Sequence, residues 1–242
     1  LGAAFLATGH YARIILNPVS RKHELHRAVD TKKDQSYALW GLKPDDLAHT
    51  LFPLGQLTKP QVRDLAKKYN LPTAEKKESQ EICFIPDNNY HRLIKDRQKE
   101  ISSGELVDTA GTWKGTHRGY PFYTIGQRRG LGGGFKEPMY VVGIDAVQNR
   151  ITIGNKTALY AREFVVEQVN WLNCSAPTEP RAAMIKIRYN DTLHAGTLYP
   201  VADQEIRILM KNPVRSVTPG QSAVFYEGDM VLGGGIIKSK VI

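Results

Sequence analysis

The sequence predicts an α/β amino-terminal region, a small strand-rich middle and a β-barrel at the carboxy-terminal end. Three observations carry this expectation. Leu1 to about His91 mixes strand-like runs with a well-capped helix, Gly104 to Gly154 holds short strands punctuated by glycine, and from Phe164 onward six short strands follow with no helix between them. The last pattern is that of a small barrel. The expected domains are 1–91, 92–161 and 162–242.

Leu1 to Leu16 is apolar, but Thr8, His10 and Arg13 interrupt it and no cationic leader precedes it, so it reads as a buried strand rather than a signal peptide or membrane span. The first residue is not methionine and strand-like sequence begins at once, which predicts a chain truncated at its N-terminus. Tyr11–Leu16 and Glu24–Val29 read as strands joined by Asn17-Pro18-Val19-Ser20. Asp34 can then cap a short helix through Gln35 to Gly41. Thr58-Lys59-Pro60-Gln61 has the form of a capping box with proline in the first turn, Val62, Leu65, Ala66 and Tyr69 follow at helical spacing, and Asn70-Leu71-Pro72 ends the helix. A second helix is expected near Tyr90 to Ile101, and a hairpin pairs Tyr140–Ile144 with Arg150–Ile153. The barrel strands are Phe164–Trp171, Ala183–Tyr189, Gly196–Tyr199, Glu205–Met210, Ser222–Tyr226 and Met230–Ile237.

The 242 residues carry a net charge of +9. Trp113 to Arg162 alone contains eight basic and two acidic residues, so most of the excess lies in one stretch. Such a stretch attracts polyanions by counterion release, or serves as a solvated basic face. The two cysteines, Cys83 and Cys174, lie far apart without metal-type spacing, which points to a reducing compartment, the cytoplasm by default. No metal site is expected. On a strand, His23 and His26 point to opposite faces. Gly130-Leu131-Gly132-Gly133-Gly134 lacks the lysine and hydroxyl residue of a P-loop.

Cys83 sits in Ser79-Gln80-Glu81-Ile82-Cys83-Phe84-Ile85-Pro86. A free cysteine there either fills a core as a small hydrophobe or serves as a reactive thiol. Lys76 and Lys77 would favour its thiolate, and Glu78 and Glu81 would oppose it. A hydrolase pairing Cys83 with His10 or His117 is one alternative, and a stand-alone RNA-binding module is another.

Four longer blocks carry a resemblance: Ala7-Thr8-Gly9-His10-Tyr11-Ala12-Arg13, Lys33-Asp34-Gln35-Ser36-Tyr37-Ala38-Leu39, Glu78 to Ile85, and Tyr123-Thr124-Ile125-Gly126-Gln127-Arg128-Arg129-Gly130-Leu131-Gly132. With Pro219-Gly220-Gln221, Ala223 to Tyr226 and Gly233-Gly234-Gly235, they occur in the order of the tRNA-specific 2-thiouridylase family, which the chain resembles over nearly its whole length. The resemblance implies an enzyme that uses ATP, with Mg, to adenylate the C2 oxygen of the wobble uridine of tRNA and then replaces that oxygen with sulfur from a cysteine persulfide. It implies a PP-loop parallel-sheet domain, of which 1–91 is the C-terminal remnant. Cys83 takes the place of the persulfide carrier, Gly9 of an ATP contact, and His10, Lys33, Asp34, Gln35, Arg188, Tyr189 and Gln221 of tRNA contacts.

The family also implies a sulfur-relay protein as donor and a disulfide formed with an upstream cysteine. This sequence contains neither a Ser-Gly-Gly-x-Asp-Ser segment nor that cysteine, so the chain by itself is expected to be inactive and ATP to be bound mostly by the missing part. Strand alternation places Arg188 with Lys186 on the face opposite Ile185, Ile187 and Tyr189, and the Pro219-Gly220 turn lifts Gln221 to the surface. Arg128 and Arg129 lie where the charge excess suggests phosphate contact.

Overall fold

The computed structural model describes residues 2–72, 74, 90–97, 101–202 and 204–240. In chain order the strands are β1 (Leu6–Ala7), β2 (Ala12–Leu16), β3 (His23–Arg27), β4 (Thr50–Leu51), β5 (Gly104–Asp108), β6 (Trp113–His117), β7 (Tyr140–Asp145), β8 (Arg150–Gly154), β9 (Tyr160–Trp171), β10 (Arg181–Lys186), β11 (His194–Ala202), β12 (Glu205–Arg215), β13 (Ser222–Glu227) and β14 (Met230–Lys240). The helices are α1 (Lys59–Lys68) and α2 (Tyr90–Arg97), with 3-10 turns at Ser36–Leu39 and Pro44–His49. The chain forms two compact units, one of Leu1–Lys76, Arg162–Val214 and Thr218–Ile242, the other of Lys77–Ala161 and Arg215–Val217.

In the first unit the expected barrel closes. Its strands run β13-β10-β11-β12-β9-β14, and β14 pairs back to β13. β12 alternates cleanly, with Ile206, Ile208 and Met210 turned inward. Gln168, at φ 53, supplies an extra residue where the register of β9 against β14 slips between Gly234 and Ile236, and a bulge of this kind tightens the strand's curl. The β2–β3 hairpin extends the same sheet, pairing to β14 at Met230↔His26. Arg13 and Arg27 both reach Asp229 at the β13–β14 turn, at 3.1 Å and 3.6 Å, and the Arg27 N–H donates to the Asp229 carbonyl. Ala12, Leu25, Tyr37, Leu39 and Leu47 from the N-terminal segment share one buried core with Leu172, Val224, Tyr226 and Val231 from the barrel.

One sequence expectation changes here. The apolar opening is not a buried strand: β1 is two residues long, it pairs in parallel with β4, and Leu6 is 65% exposed. The run has too few inward-facing partners to bury, and continuous burial begins only at Tyr11 and Ala12, where the shared core starts. The expected second helix is present over Tyr90–Arg97. The capping box does form at Thr58, whose backbone N–H donates to Gln61 Oε1 at 2.8 Å, and Asn70, at φ 52, follows the end of α1.

In the second unit a four-stranded sheet runs β6-β5-β8-β7, with β5 and β8 parallel and the other pairs antiparallel. Leu106, Val141, Ile151 and Ile153 form its core with Phe122, Tyr123 and Leu131. His117 closes one end. Its Nδ1 accepts from the Gly119 N–H at 3.1 Å, and its Nε2 donates to the Asn149 carbonyl at 3.1 Å. One nitrogen must accept and the other donate, so this arrangement requires the neutral ring, and burial pushes the His117 imidazole below its usual value of 6.5.

A folded-state value below the unfolded one means that stability is present in full above pH 6.5 and declines as pH falls through the folded value. The stability difference between the parent and His117→Gln should therefore narrow below about pH 6.5 in urea melts, and a constant difference would refute this. Gly104 packs so tightly that an added Cβ would strike the Asn149 carbonyl and the His117 ring. Gly104→Ala should cost about 1–3 kcal/mol in the same melts.

Candidate nucleic-acid interface

Of the residues singled out in the sequence, Gly9, His10, Lys33, Asp34, Gln35, Arg188, Tyr189 and Gln221 belong to the first unit, where the loop between β3 and the Ser36–Leu39 turn links several of them. Asp34 is the pivot of that loop. Its side chain is only 3% exposed, and its Oδ1 accepts from the Ala28 and Ser36 N–H groups while Oδ2 accepts from the Ser36 hydroxyl at 2.9 Å. Arg27 lies 3.7 Å away and balances the charge. The expected helix cap is not formed: the short 3-10 turn Ser36–Leu39 has Gln35 at its N-cap with no side-chain cap hydrogen bond, and the Asp34 carboxylate instead pins the loop from inside, as a buried anion requires.

Gln35 is tied to Tyr11 in both directions. Its N–H donates to the Tyr11 carbonyl at 2.8 Å, and its Oε1 accepts from the Tyr11 N–H at 2.9 Å. This double link sets the Lys33–Gln35 loop beside the chain at His10. The His10 Nδ1 is 2.8 Å from Thr8 Oγ1, and its ring meets Phe52 edge-on. Gly9 is exposed, and a Cβ there would touch only Leu54 at an ordinary 3.7 Å. Packing therefore does not demand glycine at this position, and the space beside it is open to a ligand.

Tyr37 carries the group across to the barrel. It is buried, its hydroxyl donates to the Ser222 carbonyl at 2.9 Å, and burial raises its phenol. Trp40 follows, with its indole N–H donating to Ser222 Oγ at 3.0 Å. Asn170 on β9 clasps the same turn, donating from Nδ2 to the carbonyls of Trp40 and Leu42 at 2.7 and 2.8 Å. The Trp40 ring lies flush on the backbone of Gly234, where a Cβ would come within 2.9 Å of it. Gln221, the residue before Ser222, is exposed in a turn in which its N–H donates to the Thr218 carbonyl and Gly220 takes φ 83.

Arg188 and Tyr189 are placed differently from the strand reading. β10 ends at Lys186, so alternation stops there, and Tyr189 does not turn inward with Ile185 and Ile187. It is 44% exposed in the following turn, with its ring edge-on to Tyr37 at 6.2 Å. Arg188 lies 4.0 Å from Asp191, a loose tether. The Lys186 ammonium lies over both tyrosine rings, at similar distances from each, and burial lowers its pKa. Sequence reading missed Tyr37, Trp40, Asn170 and Ser222 as organisers. Tyr37 and Trp40 were within reach of it, because they belong to or adjoin the Lys33–Leu39 block, whereas nothing in the sequence marks Asn170.

Cys83 lies outside the described residues. Cys174 is a free thiol, pushed up by burial and so held protonated, a poor nucleophile. Both ring nitrogens of His117 are engaged by backbone, which leaves it no lone pair for general-base work. In the second unit Arg128 and Arg129 are exposed and unpaired among the described residues, in a glycine-rich loop with φ values of 77 at Gly130 and 82 at Gly132. Among the described residues no cluster of metal-ligating side chains occurs, and no helix is long and apolar enough to cross a membrane.

Residues 1–87 match the family model described as tRNA methyl transferase HUP domain, 92–155 the tRNA methyl transferase PRC-barrel domain, and 161–237 the aminomethyltransferase beta-barrel domain. The chain is 47% identical over 242 residues to the tRNA-specific 2-thiouridylase MnmA of Chlorobium chlorochromatii, covering 98% of this chain and 67% of that one. It is 44% identical to the namesake protein of Carboxydothermus hydrogenoformans, covering 100% and 66%, and 44% identical to that of Trichormus variabilis, covering 98% and 68%. It thus spans about two thirds of the length of these relatives.

Asp34→Ala would leave the Ala28 and Ser36 N–H donors buried without an acceptor and the Ser36 hydroxyl with only the Tyr226 hydroxyl, at 3.3 Å. It should destabilise the chain by about 2–4 kcal/mol in chemical denaturation, and Asp34→Asn by less. Gly234→Ala should shift the Trp40 indole N–H resonance by forcing the ring off Ser222. An unmoved resonance would show that Trp40 is held some other way.

Proposed function

Because the chain belongs to the tRNA-specific 2-thiouridylase family, we propose that it acts in the conversion of the wobble uridine of tRNA to 2-thiouridine, binding the tRNA through the face described above. The observation that carries this reading is the connected set His10, Lys33–Gln35, Arg188–Tyr189 and Gln221, gathered on one unit by the Gln35–Tyr11 and Tyr37–Ser222 hydrogen bonds. Scattered in sequence, these residues would have no common purpose as packing. The family-model descriptions speak of methyl transfer, but the curated relatives speak of thiolation, and the Ser79–Ile85 segment around Cys83 suits sulfur chemistry.

The C2 oxygen of uracil is a poor leaving group, and the adenylyl group supplied by ATP makes it a good one. Gly9, exposed and with room at its α-carbon, would lie against the nucleotide, with most of the nucleotide contacts supplied by polypeptide outside this sequence. Cys83 would receive sulfur as a persulfide from a sulfur-relay protein, and its terminal sulfur would attack C2 as the oxygen departs. A second thiol outside this sequence would then cleave the S–S bond, which leaves a disulfide on the enzyme. His10 and Gln35, held rigidly together, would orient the RNA strand, and Lys33, Arg188 and the exposed Arg128 and Arg129 would contact phosphate. The chain alone would bind RNA without turnover.

The test joins the chain to the part of a relative that it does not cover and assays tRNA for 2-thiouridine in cells lacking their own enzyme. The parent should restore the nucleoside and Cys83→Ser should abolish it. Normal thiolation by Cys83→Ser would sink the carrier assignment.

A further inference from the structure

The ammonium of Lys186 lies 5.7 Å from the centre of the Tyr37 ring and 5.8 Å from that of Tyr189. Among the described residues no carboxylate comes within 4.0 Å of it. Asp34 and Asp191 act on it only from farther away, and Arg27 opposes them. Other cations of this unit are paired: Arg13 with Asp229, Arg27 with Asp34, Arg181 with Glu227 and Arg207 with Glu163. A half-buried lysine usually finds a carboxylate, because removing the charge from water costs energy that an ion pair returns. Lys186 has only ring faces, which offset part of that cost.

The two rings are unequal. Tyr37 is fixed through Ser222 and buried, so it serves as a wall. Tyr189 is exposed and meets Tyr37 edge-on, at 67°, with its hydrophobic surface partly open to solvent. Arg188 adjoins it in the same turn. A fixed wall, an unpaired cation and an open aromatic ring together match one nucleotide of a single strand, in which phosphate seeks charge and an unstacked base seeks a ring.

We propose that Lys186, Tyr37 and Tyr189 form a seat for one unpaired nucleotide of the bound RNA, with the phosphate on the Lys186 ammonium and the base stacked on Tyr189. The seat rests on the reading given under Proposed function and deepens it. It adds Lys186 and Tyr37 to the RNA face and assigns Tyr189 to a base rather than to a phosphate. Double-helical RNA would not satisfy it, because its bases are already stacked on one another.

The experiment measures the affinity of the full chain for an unmodified tRNA transcript with a wobble uridine, across a range of KCl concentrations, with a melting curve for each variant. Lys186→Met should make the slope of log K against log salt shallower by about 0.7, the value for one single-strand phosphate, and Lys186→Arg should restore it. Tyr189→Ala should weaken binding roughly tenfold with the slope unchanged, and Tyr189→Phe should keep the parent's affinity. If Lys186→Met does not fold, Lys186→Gln carries the same test. An unchanged slope in a folded Lys186 variant, beside a parent that binds tRNA, overturns the seat and leaves the wider reading standing. A parent with no salt-sensitive affinity for tRNA overturns both.

Discussion

The first unit depends on the contact between Trp40 and the bare backbone of Gly234. An indole can lie against a strand at this distance only where the strand presents no Cβ, and Gly233, Gly234 and Gly235 are all crowded in this sense, by Asn170, Trp40 and Glu167 in turn. Trp40 is also the point at which the N-terminal segment is fastened to the barrel, through Ser222 on β13 and Asn170 on β9. Remove that fastening and the Tyr37 ring loses its place between Ser222 and Tyr189. The glycine triplet near the carboxy-terminal end therefore governs the position of a loop almost two hundred residues earlier in the chain.

Polar groups beneath the face keep it rigid. Asp34 is a buried anion whose two oxygens serve three donors, and the Ser36 hydroxyl lies 3.3 Å from the Tyr226 hydroxyl, itself raised by burial. Such a network is costly if half satisfied and specific when complete. It lets an irregular loop hold one conformation without strand or helix hydrogen bonds. A surface built this way would lose little conformational entropy on binding the proposed RNA, because the order has already been imposed in folding.

Much of this was legible before the coordinates. The six barrel strands, the hairpin at Tyr140, the capping box at Thr58 and the turn at Gln221 all announce themselves through alternation, capping residues or Pro-Gly. Other features were not legible, for separable reasons. Strand alternation predicted an inward Tyr189 because periodicity cannot reveal where β10 stops, and the strand stops one turn too early for the pattern to hold. The apolar opening suggested burial because hydrophobicity reports a tendency to be covered, not the presence of a cover, and Leu6 stays exposed. The clasp made by Asn170 joins residues 130 apart in sequence and carries no local signature at all.

Charge divides the labour further. The face on the first unit is close to neutral: Lys33, Arg188 and Lys186 are set against Asp34 and Asp191, while Trp113 to Arg162 holds eight basic and two acidic residues. Phosphate attraction is cheap, long-ranged and blind to sequence, whereas orientation demands short contacts from fixed groups. A chain that concentrated its positive charge around His10 and Gln35 would bind RNA strongly in many registers, each competing with the productive one. If RNA is bound as proposed, keeping the excess in one segment and the fixed aromatic and amide groups in another lets attraction act first and registration second. On the proposed reading, mutations that strip charge from Arg128 and Arg129 would change how much RNA is captured, and mutations that loosen Asp34, Tyr37 or Trp40 would change how accurately it is held.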